Sequence, residues 1–239
     1  MFPRVGSVGL EEAVLINTSG GIAGGDRLDT AVTALADARI TLTSQTAERI
    51  YRALDEPARI STTLTVCPSA KLAWCPQETI VFDRARVRRQ THIAVSSGAE
   101  LLALEWIVLG RAAHAETIVS GELIDSWRVE KDGRLVWADS LRITDDVFPH
   151  VRRYALLADC SAVATLVYFG TNLEKRLECL RDWAASLTCH AATMVGGLIV
   201  VRFSATAAST LRAGLCGVLQ QFDRAFGPGP FRVPKMWSC

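Results

Sequence analysis

Asn17-Thr18-Ser19-Gly20-Gly21-Ile22-Ala23-Gly24-Gly25-Asp26 packs four glycines into six positions and closes them with a carboxylate. Glycine at this density serves a backbone that takes positive φ or approaches something closely. A phosphate cradle is the first chemistry to test, and it fails. No G-x-x-x-x-G-K-[ST] lysine follows, the spacing is not G-x-G-x-x-G, and Asp26 would repel a phosphate. Nucleophilic catalysis fares no better, because Ser19 and Ser44 sit in no G-x-S-x-G elbow and no base is placed beside them. Metal chemistry comes next. The four histidines, His92, His114, His150 and His190, form no H-x-x-x-H or H-E-x-x-H pair, and the seven cysteines form no C-x-x-C. That spacing argues against a closed zinc-type site but leaves room for a labile one of imidazole, thiolate or carboxylate. Two carboxylates stand out. Asp26 closes the glycine loop, where the structural reading is a turn residue bonding its own backbone. Glu105 interrupts an apolar run, where an unpaired charge is costly, so it faces water or meets a basic partner such as Arg111.

The elements that must position these residues are mostly strands. Residues 29–35, 60–66, 87–95 and 126–130 alternate, and Asp132-Gly133 offers a hairpin turn before Leu135-Val136-Trp137. Breaks such as Cys67-Pro68-Ser69, Ser96-Ser97-Gly98 and Ser120-Gly121 recur every dozen or two residues, the rhythm of stacked β layers. Residues 99–109 are apolar apart from Glu100 and Glu105, so periodicity alone does not separate a buried strand from a helix there, and strand is the expectation. Two stretches of the last third have helical spacing. Leu173, Leu177, Leu180, Trp183 and Ala184 share one face, with Asn172 available as a cap. Leu211, Leu215, Val218, Leu219 and Phe222 share another, before Gly227-Pro228-Gly229-Pro230 stops the pattern. Between them, residues 192–203 return to strand with Gly196-Gly197 as the turn. Gln77 and Glu78 read as caps of the turn after Pro76, and Trp237 as a core anchor for the tail.

Composition bounds the function. With 49% hydrophobic and 21% charged residues the chain is an ordinary globular one, and a net charge of +1 argues against nucleic acid or a polybasic membrane contact. No run reaches the length of a membrane span, no secretory signal opens the chain, and the unpaired cysteines fit reduced thiols in a cytoplasm. No repeat or linker appears, so the expectation is one domain over 1–239, β-rich to 170 and mixed helix and strand from 171.

The glycine loop also resembles that of the urease accessory protein UreD (UreH) family, chaperones for nickel insertion into urease. The resemblance continues through Thr46-Ala47-Glu48-Arg49-Ile50-Tyr51-Arg52 and Trp74-Cys75-Pro76-Gln77-Glu78-Thr79-Ile80-Val81-Phe82. It goes on in Leu104-Glu105-Trp106-Ile107-Val108-Leu109-Gly110-Arg111, Gly133-Arg134-Leu135-Val136-Trp137 and Pro234-Lys235-Met236-Trp237. The order of the blocks carries the likeness over nearly the whole chain. It implies a mostly β, stacked two-layer, β-helix-like fold with two or so helices in the C-terminal third. It implies a cytoplasmic chaperone rather than an enzyme, with no tightly bound cofactor and nickel held only transiently. The implied partners are apo-urease on one surface and UreF on another, with the GTPase UreG recruited through UreF. It further implies that acidic side chains at matching positions, Asp26, Glu105 and Asp139, line a water-filled nickel passage. Glu48, Tyr51, Arg52 and Arg111 read as structural or contact residues.

Two departures stand beside the resemblance. The family's N-terminal strands are nearly absent, with Phe2-Pro3-Arg4 like their tail, so Met1 reads as an internal or misassigned start. The family's Gly-Arg-x-x-x-Gly-Glu block has Ala115 at its second glycine. The alternative they leave open is a β-rich metal-binding or scaffold protein unrelated to urease, a degenerate paralogue.

Overall fold

A computed structural model describes residues 11–111, 116, 118–151, 153, 156–184, 189–226 and 231–238. Phe2, Pro3, Arg4, His114, Ala115 and the segment 227–230 lie outside them. The chain winds alternately between two sheets. Strands β2 (Arg27–Ala34), β5 (Ala58–Val66), β8 (Arg86–Val95) and β10 (Glu122–Lys131) run parallel in the smaller sheet. Strands β1 (Glu11–Leu15), β3 (Arg39–Ser44), β6 (Lys71–Trp74) and β9 (Glu100–Leu109) run parallel in the larger one. Short strands β4 (Glu48–Ile50) and β7 (Thr79–Val81) continue that sheet beside the second half of β9. These are the stacked β layers expected from the sequence rhythm, in the solenoid-like arrangement that the family resemblance implied.

Antiparallel strands close the far end. β11 (Arg134–Ile143) folds back on β10 through the Asp132-Gly133 turn. In the larger sheet β12 (Ala162–Phe169) pairs with β9, β14 (Leu198–Ala205) with β12, and β13 (Cys189–Val195) with β14. Helices α1 (Leu173–Ala184) and α2 (Ala208–Phe226) lie on the outer face of this sheet. Leu177 and Leu180 of α1, with Leu211, Leu215, Val218, Leu219 and Phe222 of α2, pack on Leu102, Leu104, Trp106, Leu166, Tyr168, Val201 and Phe203.

Strand β9 therefore has a helix layer on one face and the smaller sheet on the other, which explains its unbroken apolar run. A strand buried on both faces has no solvent side to leave polar. The side chains of β9 that face the smaller sheet are Leu101 and Ala103 in one apolar cluster, Ile107 in another, and Glu105 between them.

Candidate functional site

Parallel stacking aligns equivalent positions of successive strands, so a polar residue repeated at one position becomes a polar row across the strands. In the smaller sheet Thr30, Thr62, Thr91, Trp127 and Asp139 are register partners in sequence. The neighbouring inward row holds Arg89 opposite Asp125. In the larger sheet Glu105 pairs with Thr165, and Thr165 with Arg202. These rows face each other between two apolar clusters. Leu64, Ile93, Val129, Leu101 and Ala103 lie to one side, and Ala58, Val87, Leu123, Ile143 and Ile107 to the other. A polar seam thus crosses an otherwise apolar core.

Arg89, Asp125 and Glu105 form its centre, being 7%, 7% and 4% exposed. Arg89 Nη2 donates to Glu105 Oε2, and Arg89 Nη1 donates to Thr79 Oγ1 at 3.1 Å. Arg89 Nε stands 3.4 Å from Asp125 Oδ1. Glu105 Oε1 accepts the Trp74 indole N–H at 2.7 Å, and the Thr91 hydroxyl donates to the same carboxylate at 3.2 Å. Burial raises the Glu105 carboxyl above its ordinary value; Arg89 opposes that rise and Asp125 adds to it. Burial depresses the Arg89 guanidinium, but Asp125 and Glu105 outweigh it and leave the group more basic than usual. By sequence alone Glu105 either faces water or meets a basic partner such as Arg111. Arg111 is instead exposed, bonded to Glu116 and stacked over the Phe82 ring at 4.4 Å.

Two cavities meet at this cluster. One, of about 350 Å³, is lined by Glu105, Asp125, Asp139, Thr165, His190 and Arg202 among others. The other, of about 280 Å³, is lined by Asn17, Thr30, Glu48, Thr62, Arg89 and Glu105 among others. Glu105 belongs to both walls, Asp125 to the first alone and Arg89 to the second of the two. At the first cavity Asp139 forms an ion pair with Arg202, both partly exposed. Burial lowers the Arg202 guanidinium, against the pull of Asp125.

Of the three carboxylates singled out in the sequence, Glu105 and Asp139 share the first cavity. Asp26 is a wall of neither. It is exposed on the loop, where its Oδ2 accepts the Ala23 N–H at 2.8 Å, the turn role given as its structural reading. The glycines have a steric reason. A Cβ on Gly24 would lie 2.7 Å from both Ala53 Cβ and Glu56 O, and one on Gly21, at φ +147°, 2.3 Å from the Tyr51 ring. Tyr51 donates to Gly20 O at 2.9 Å and packs edge-on against Phe82, so the loop and the 46–52, 74–82 and 104–111 blocks converge at one corner. Gln77 is a tail clamp more than a turn cap: its Nε2 donates to Met236 O and its Oε1 accepts from Arg212.

Arg89 and Asp125 were missed in the sequence, yet a signal was there. Each occupies the inward phase of an alternating strand, among Val87, Thr91, Ile93 and Val95 or among Leu123, Trp127 and Val129. A charge in the inward phase must find a partner.

Among the described residues no three histidine, cysteine, aspartate or glutamate side chains converge to hold a metal ion. What the seam offers is a sparse line of carboxylates and hydroxyls. A family model described as "UreD urease accessory protein" matches residues 4–238. The chain belongs to the UreD family. It is similar to "Urease accessory protein UreD" of Rhodopseudomonas palustris (strain BisB18), 41% identical over 237 residues, 99% of this chain and 83% of the relative. The protein of the same description from Chelativorans sp. (strain BNC1) is 38% identical over 230 residues, 96% of this chain and 81% of the relative. That from Methylobacterium sp. (strain 4-46) is 39% identical over 242 residues, 99% and 83% of the two. As a UreD family member the chain has a role in urease maturation, as a chaperone rather than an enzyme. No helix among the described residues is long and apolar enough to cross a membrane.

Proposed function

We propose that this chain is a cytoplasmic scaffold that carries nickel toward the active site of apo-urease through the seam between its sheets. Glu105, Asp125 and Asp139 would act as successive weak oxygen ligands. The observation that carries the reading is that Glu105 lines both cavities, so one carboxylate joins the two halves of a polar route through an apolar core. A divalent ion in a low-dielectric interior is costly to desolvate, and carboxylates beside water-accessible space offset that cost. Nickel prefers nitrogen and sulfur donors, so oxygen ligands one or two at a time hold it loosely enough to pass on. Membership of a urease accessory family supports the rest of the reading, in which apo-urease would bind one surface, UreF another, and UreG through UreF.

The test is co-expression with UreF, UreG and apo-urease, then co-purification and urease activity after nickel addition. The expected result is a joint complex and activation that disappears when this chain is omitted. Activation that is equal with and without it would sink the proposal.

A further inference from the structure

The wall between the two cavities already contains a cation. Arg89 bonds Glu105 through one end of its guanidinium and faces Asp125 through the other, while Thr79 takes its remaining terminal nitrogen. The carboxylates have one indole each: Trp74 on Glu105 Oε1, and Trp127 on Asp125 Oδ2 at 3.3 Å. Asp125 Oδ1, although buried, accepts no hydrogen bond among the described residues; its charged neighbour is Arg89 Nε. It lies on the wall of the first cavity, and Arg89 on that of the second. A guanidinium therefore stands where a metal ion bridging Glu105 and Asp125 would stand.

We propose that Arg89 is the gate of the passage: its guanidinium occupies the cation position between Glu105 and Asp125, and a divalent ion crosses only by exchanging with it. This deepens the nickel-carrying reading and rests on it. A permanent internal cation offsets the cost of burying the two carboxylates. It also keeps the pair from holding a metal tightly, because every incoming ion competes with a tethered charge. Arginine suits the task better than lysine, since its planar fork spans two carboxylates at once and it does not deprotonate.

The two indoles make the gate observable. In the full ¹⁵N-labelled chain, paramagnetic Ni²⁺ bound at the pair broadens the indole N–H signals of Trp74 and Trp127. Trp106, packed among the helices on the other face of β9, serves as the control. Arg89→Gln is expected to lower the nickel midpoint of this broadening roughly tenfold or more, the effect of one unit charge removed at short range. Adding Asp125→Asn should abolish the gain. An unchanged midpoint, or a gain that survives Asp125→Asn, overturns the gate. Arg89→Lys retains the buried charge and keeps the test alive if Arg89→Gln does not fold. It should bind nickel more tightly than wild type, and an unchanged midpoint there is equally fatal. Urease activation by the wild-type chain reports on nickel delivery and the indole midpoints report on the gate, so either can fail alone.

Discussion

Arg89 and Asp125 face each other on adjacent parallel strands, and the same guanidinium reaches across to Glu105 on the opposite sheet. One side chain thus ties a cross-strand pair to a cross-sheet pair in the middle of the core. Removing one partner of such a cluster and leaving another charged and buried costs about 3–5 kcal/mol. The geometry makes the consequences of each substitution different.

Glu105→Gln should gain stability relative to the wild-type chain as pH rises. The Glu105 carboxyl is pushed above its ordinary value of 4.5 by burial, so the folded state holds its proton more tightly than the unfolded chain does. The associated stability is complete below 4.5 and is lost as pH climbs through the raised folded value. Glutamine keeps an acceptor for Trp74 and does not titrate. Melting temperatures of both proteins across the acidic range should diverge in favour of the variant as pH increases. A difference that stays constant with pH would show that Glu105 ionises freely.

Asp139→Asn should slow urease activation at limiting nickel by roughly tenfold, the lower end of what focused charge contributes to capture of an ion. Asp26→Ala should not. Its carboxylate is committed to the Ala23 N–H on an exposed loop, outside both cavities. Activation rates of the two variants beside wild type, with nickel titrated, separate a seam residue from a turn residue. Equal losses would place the glycine loop on the route as well.

Gly24→Ala should destabilise by about 1–3 kcal/mol, the range for a methyl forced into a filled space. The nearest atoms include the Glu56 carbonyl oxygen, which is backbone and has little freedom to retreat. Gly25→Ala is a control for conformation alone, since nothing lies within 4 Å of a Cβ there although φ is +85°. Chemical denaturation of both variants gives the comparison, and a neutral Gly24→Ala would refute the close approach.

Trp237→Ala should cost about 3–5 kcal/mol, as for other large buried aromatics. The indole is 4% exposed, donates to Cys75 O at 3.2 Å and packs with its centroid 5.9 Å from that of Trp106. Arg212 holds the same segment by donating to Trp237 O at 2.7 Å. A variant that melts like wild type would mean that the tail is not an anchor.

Local pattern made most of the strands legible, because each has one inward face and the alternation of side chains reports it directly. The helices were legible for the same reason at a period of 3.6, and the glycine loop because only close backbone packing uses so many glycines. Strand β9 was ambiguous in periodicity: buried on both faces, it has no polar side to alternate with. What the sequence by itself determined was therefore the stacked β layers, the helices over one face, and Glu105 as a charge in need of an answer. Which residue answers it was decided only by the tertiary structure. Arg89 and Arg111 are both plausible partners along the chain, but parallel stacking turns Arg89 inward beside Asp125 and leaves Arg111 at an exposed corner with Glu116. The antiparallel pairing of β11 with β10 brings Asp139 to the cavity that Glu105 shares, while Asp26 stays on an exposed loop outside it. Register between distant strands is set by the summed burial of whole rows, a quantity no single stretch of sequence contains.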